Sequence, residues 1–303
     1  MSYMTHSVKN ESFGDALNMI LFGNPCSQIY TIRIGLVKLL DEISRASLEI
    51  YISDAQHYYI FVFVLLPNGF QVRCFEATWL SEGMSHLAEE LLFYRISGLA
   101  PKQDINYLTA VATPARVEAI NAYQVDNLGR VFDYLGATDT NSPYGLNDSL
   151  ATRGATWNLL RWALDQSPNP ASFYLKALVD SDKWGQPNFN QIFAGLGGLV
   201  GATRQEVIAD FFDNSGVTIA AQYAFPSWNF RDLLPHLSTA TPPRYPLVPK
   251  ILLPGASQTY SLVGGGSGYL RFRVNGGATG GIATSSGGAA LPSTVELILI
   301  RTQ

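Results

Sequence analysis

Residues 78–97 read TWLSEGMSHLAEELLFYRIS, and their spacing governs how the rest of the chain is read. Leu80, Met84, Leu87, Leu91 and Tyr94 fall at alternating steps of four and three, which predicts a helix with one apolar face against a core. Glu82, His86 and Glu89 or Glu90 lie on another face at helical spacing, close enough to touch or to share a cation. Two readings of that polar face stand side by side. His86 and Glu90 can form a solvated i, i+4 pair, or the face can supply metal ligands.

The surrounding chain sets the bounds. At 303 residues it exceeds one typical domain, and 47% apolar with 15% charged residues is the composition of a globular protein. Lys and Arg number 20 against 24 Asp and Glu, for a net charge of −4 and a pI near 5.6. No general attraction to phosphate or anionic lipid follows, and nucleic acid is not an expected partner. The most apolar run, residues 58–67, is about half the roughly 20 residues a membrane-spanning helix requires. No membrane span is expected, and the start of the chain shows no apolar stretch of secretory type. Cys26 and Cys74 are too few and too far apart for a zinc knuckle or a disulfide framework; whether they pair is open.

Helical signals continue past residue 97. Thr113 before Pro114 is an N-cap and first-turn pair, and Val117, Ile120, Leu128, Val131 and Leu135 extend one helix to a stop at Gly136. Trp157, Leu160 and Leu164 form a stripe within residues 149–167. Residues 203–214 and 227–237 read as shorter helices, while 138–147 and 182–188 read as loops.

Near Pro242 the composition changes. Between Gly255 and Gly288 lie 11 of the 27 glycines, and residues 250–303 carry only Lys250, Arg271, Arg273, Glu296 and Arg301 as charges. Short alternating runs at 259–263, 269–274 and 294–300 predict strands, with Leu270, Phe272 and Val274 inward and Tyr269, Arg271 and Arg273 outward. Gly264, Gly265, Gly266 and Gly268 sit between two such runs with no following helix and no GK[ST] ending, so they read as a hairpin loop and not a phosphate cradle. The expected class is α+β. A mainly helical domain over 1–240 is followed by a small Gly-rich antiparallel β-sandwich over 246–303.

Three stretches together resemble one family: WLSEGMSHLAEELLFYR at 79–95, SPYGLNDSLATRGATWNLLRWALDQ at 142–166 and PSWNFRDLLP at 226–235. They are similar to the bacterial hyicolysin-like zinc metallopeptidases of the gluzincin type, from about residue 75 to the end; residues 1–74 match poorly. The resemblance implies a zincin-like helical fold, a Zn²⁺ cofactor, a peptide or protein substrate and an extracellular location. In W-L-x-E-G the glutamate is a zinc ligand, here Glu82. In such sites two histidines four apart on a helix and a carboxylate from a second helix leave one position for a water that the metal ionises.

The expected H-E-x-x-H motif is missing from all 303 residues. The best-placed segment is Ser53, Asp54, Ala55, Gln56, His57, with His57 25 positions before Glu82. On this mapping His57 and Glu82 hold the metal, His86 is a substitute or supporting ligand, and Asp54 stands as general base with a shorter side chain than Glu. A plainer reading makes Ser53 and Asp54 turn residues and His57 a packed histidine beside a strand-like run at 58–66. An inverted H-x-x-E-H begins at His86 but has Glu90 in place of its second histidine, and no G-x-S-x-G is present. The function expected is that of a metallopeptidase-family protein with an impaired site, a pseudo-enzyme. The alternative is a non-enzymatic cell-surface or extracellular binding protein on the same scaffold, with Tyr260 or Tyr269 as candidates to stack on a glycan, although packing into the core is the favoured fate of each.

Overall fold

A computed structural model describes residues 76–239, 241–273, 283, 285 and 288–300, together with the backbone of four short strands nearer the start. Those strands form two antiparallel pairs. Ser7–Val8 (β1) pairs with Leu17–Asn18 (β2), and Phe63–Leu66 (β3) pairs with Gly69–Val72 (β4). The strand-like run therefore is strand over its second half.

The helix that anchors the fold is α1, Thr78–Ser97, with the bounds its periodicity predicts. It stops at Gly98, whose φ of 70° lies in the left-handed region that glycine enters without steric cost, and whose N–H returns to the Tyr94 carbonyl. Leu80, Leu87 and Tyr94 are buried as expected. The polar face is buried too: Glu82, His86 and Glu90 are all at most 4% exposed. Helix α1 is thus covered on two sides.

Two short helices follow, α2 (Tyr107–Ala110) and α3 (Pro114–Tyr123), the latter capped by the Thr113 hydroxyl accepting from the Arg116 N–H. The predicted continuous helix to Gly136 is two. Gln124, at φ −125°, ends α3 and begins α4, Val125–Gly136. Helix α5, Leu150–Gln166, is capped by Ser149 and buried from Gly154 through Asp165. Packing is densest between α4 and α5 and between α1 and its neighbours α5 and α3. Glycines permit this closeness. A Cβ on Gly83 would lie 2.5 Å from side-chain atoms of Leu160 and Thr156, and one on Gly154 would strike the backbone of Arg130 and Val131 in α4.

The remaining helices are α6 (Ala171–Asp180), α7 (Gln186–Ile192), α8 (Gly198–Phe212) and the short α9 (Phe230–Leu233), which runs into a 3₁₀ turn. Glu76 ties the start of α1 to that of α7, accepting from the Asn188 amide at 2.6 Å and from the Gly185 N–H. Residues 104–105 and 226–229 pair through backbone bonds, which seats Trp228 among Phe93, Tyr94, Trp157 and Phe230.

The expected antiparallel β-sandwich does not form. Among the described residues beyond 244, the one ladder is parallel and two residues long, Lys250–Ile251 (β5) with Leu270–Arg271 (β6). Leu270 and Phe272, assigned to an inner face, are 44% and 42% exposed. Tyr269 points inward instead, stacking on Phe211 of α8 with ring centroids 5.4 Å apart. The cause lies in what the segment bonds to. Val263 and Ser267 donate backbone N–H groups to Asp139 and Thr138, so the loop after α4 takes bonds that a hairpin partner would have received.

Gly154→Ala gains about 1 kcal/mol of helix propensity. It also forces α4 and α5 apart against backbone atoms that have no rotamer to relax, an overpacking cost of about 1–3 kcal/mol. A net loss of stability is expected, read as a lower denaturant midpoint; unchanged or raised stability would contradict the close α4–α5 approach.

Candidate functional site

The polar face of α1 resolves into two neighbourhoods. Glu90 turns into the core, where its carboxylate accepts from Arg161 at 2.9 Å, from the Tyr94 hydroxyl at 3.0 Å and from the Trp228 indole. It is not part of a solvated pair with His86. Glu82, His86 and Glu89 face α4 and the start of α5, and these three form the candidate site.

His86 Nδ1 lies 3.1 Å from Glu89 Oε2, which also accepts from the Asn127 amide at 2.9 Å. Burial pushes the His86 pKa below its ordinary value, with Glu89 opposing. The imidazole is therefore neutral near pH 7, with its proton on Nδ1 facing the carboxylate. The lone pair is left on Nε2, which is buried and has no hydrogen-bond partner among the described residues. A carboxylate fixing Nδ1–H while Nε2 stays open is the arrangement of a metal-ligating histidine.

Glu82, one turn earlier, pairs with Arg153 at 3.0 Å, and Arg153 grips Asp148 with two bonds of 2.6 and 2.8 Å. Burial outweighs the guanidinium and pushes the Glu82 carboxyl up to about 7. Arg130 completes the wall, donating to the Asn127 carbonyl oxygen at 2.7 Å.

Of the residues expected at the site, Glu82 and His86 share one buried face of α1, while Asp54 and His57 lie outside the described residues. Among the described residues no three His, Cys, Asp or Glu side chains are gathered to hold a metal. Arg153, Asn127 and Arg130 were not singled out from sequence. The available signal was Asp148 and Arg153 flanking the Ser149 cap, which places both at the mouth of α5. Tyr260 and Tyr269, for which packing into the core is favoured over stacking on a glycan, are both engaged within the chain. Lys250 lies 3.8 Å over the Tyr260 ring, and Tyr269 is stacked on Phe211. Among the described residues no helix is long and apolar enough to cross a membrane.

Compared with protein-family models, curated proteins and solved structures, the chain matches none.

Glu82 titrates near pH 7 in the fold and near 4.5 when unfolded. Its protonation therefore favours the native state: that contribution is complete below the unfolded pKa and is lost as pH rises through about 7. Glu82→Gln, which leaves Arg153 on Asp148, should flatten the fall in melting temperature between pH 5 and 8. An unchanged slope by calorimetry would contradict the assignment.

Proposed function

We propose that this protein is a zinc-peptidase-type scaffold with impaired hydrolysis, in which His86 and Glu82 are donors to a zinc ion. The observation that carries this reading is the buried His86 Nε2 lone pair, set by Glu89 and one helical turn from Glu82. Support comes also from the W-L-x-E-G and S-W-N-F motifs, since Glu82 occupies the ligand position of the former.

The two residues fit zinc in kind, an imidazole nitrogen and a carboxylate oxygen. A catalytic zinc ordinarily takes three protein ligands, and the further candidates are His57 and Asp54. When bound, zinc would supply a Lewis acid and an ionised water. The chain's own residues act around that position. Glu89 and Asn127 hold the His86 ring against rotation, and Arg153 stands on Glu82 as the resident cation that a metal must displace. Impairment follows from the missing H-E-x-x-H: Ser53 cannot replace a ligand histidine, and Asp54 reaches less far than the glutamate that would accept the water's proton.

Metal content of the full chain, measured by plasma mass spectrometry after equilibration with zinc and removal of excess, tests the reading. About one zinc per chain is expected, lost in both His86→Ala and Glu82→Ala, with little or no cleavage of a casein substrate. No retained zinc, or full occupancy in either variant, would overturn it.

A further inference from the structure

Helix α8 carries a second pair of acids, deeper than the first. Glu206 is fully buried and Asp210 is 2% exposed, one turn apart on the same face. Both carboxyl groups accept from one amide: Asn158 Nδ2 of α5 lies 2.7 Å from Glu206 Oε1 and 2.7 Å from Asp210 Oδ1. From α4, the Tyr134 hydroxyl reaches Asp210 Oδ2 at 3.4 Å. Tyr144, in the loop between α4 and α5, lies close enough to Glu206 to feel its charge.

The C-terminal segment covers the pair. The Tyr245 hydroxyl donates to the Asp210 backbone carbonyl at 2.9 Å, and the Tyr269 hydroxyl to that of Val207 at 2.8 Å. Just past the end of α8, Asp213 adds like charge. Arg231 of α9, which packs on Tyr245, is spent on the backbone carbonyls of Asp213 and Phe211 and on the Tyr245 ring, 4.3 Å from its centroid. No ammonium or guanidinium pairs with either carboxyl group among the described residues.

Two acids in this position cannot both be ionised without a counter-charge. A cation could supply it, but no third acid, His or Cys joins the pair among the described residues. A proton needs no such cage. We propose that Glu206 and Asp210 share a proton and act as a latch: when both ionise, the C-terminal segment loosens from α8. Of the elements covering the pair, that segment is held least. Its own ladder is two residues long, whereas α4 and α5 pack along their lengths.

The direction of the titration agrees. Burial pushes Glu206 well up, with Asp210 adding to it, and pushes Asp210 up to about 7. Protons bound in the folded state therefore close the latch, and closure is lost as pH rises past the Asp210 value of about 7 and Glu206 ionises as well.

The test is limited digestion of the full chain with trypsin between about pH 5.5 and 9. Cleavage after Lys250, Arg271 and Arg273 is followed by mass spectrometry and normalised to an unstructured peptide at each pH. For a one-proton latch the normalised rate should rise by up to about tenfold per pH unit above neutrality, once the second carboxyl ionises. It should stay low in Glu206→Gln, whose amide keeps the shape without the charge. Asp210→Asn, with its fold checked by circular dichroism, provides a second variant that should behave alike. A flat wild-type profile, or variants that follow the wild-type rise, would overturn the proposal. So would suppression of the rise by millimolar Ca²⁺ or Mg²⁺ alone, which would make the pair a cation site.

Discussion

The guanidinium of Arg161 is the constraint around which the helical part is arranged. It is 1% exposed and lies between Glu90 of α1, at 2.9 Å, and Asp165 of its own helix, at 3.0 Å. Asp165 in turn accepts from the Ser227 N–H and hydroxyl at 3.0 and 2.6 Å. One charged group thus joins α1, α5 and the segment that carries Trp228. Such a triad adds little net stability over a well-packed apolar core. Its effect is on uniqueness: α1 cannot rotate or slide on α5 without stranding the buried Glu90 carboxylate. The face of α1 that carries Glu82 and His86 is held in place by the same lock.

Three ways of burying a carboxylate occur in one small protein. Glu90 has a guanidinium, two further donors and no contact with water. Glu82 has a guanidinium that it shares with the exposed Asp148. Glu206 and Asp210 have an amide and a phenol but no cation. As the compensating charge weakens, proton binding takes over its role, because the cost of an uncompensated buried charge exceeds that of holding a proton. Burial raises the Glu90 carboxyl too, with Arg161 as the main opposing charge, so the three places differ in how far a cation offsets the burial.

Much of the helical architecture was legible because its signals are local. The periodicity of residues 78–97, Thr113 before Pro114 and the stripe of Trp157, Leu160 and Leu164 within 149–167 specify α1, the start of α3 and α5 without tertiary information. The break at Gln124 was not legible: neither Gly nor Pro stands there, and the apolar spacing runs through it. The polar face of α1 was found as a set of residues, but the division between Glu89 and Glu90 depends on Arg161, 71 positions beyond Glu90. In the C-terminal segment the alternation predicts strands at 259–263, 269–274 and 294–300, and of these runs only Leu270–Arg271 forms a strand among the described residues. Period-two patterning says which residues share a face but not what that face meets, and here the tyrosines met α8 before any second sheet could.

The tyrosine hydroxyls that fasten the C-terminal segment choose backbone carbonyls of α8 as acceptors, those of Val207 and Asp210. A carbonyl is present whatever side chain a position carries. The attachment therefore places its demand on one partner only. Position 207 can drift through substitutions over evolutionary time with the bond intact, whereas Tyr245 and Tyr269 have no equivalent substitute of the same reach. Among descendants of this chain, the fastening would be inherited through the residues of the irregular segment, with position 207 beneath it free to vary.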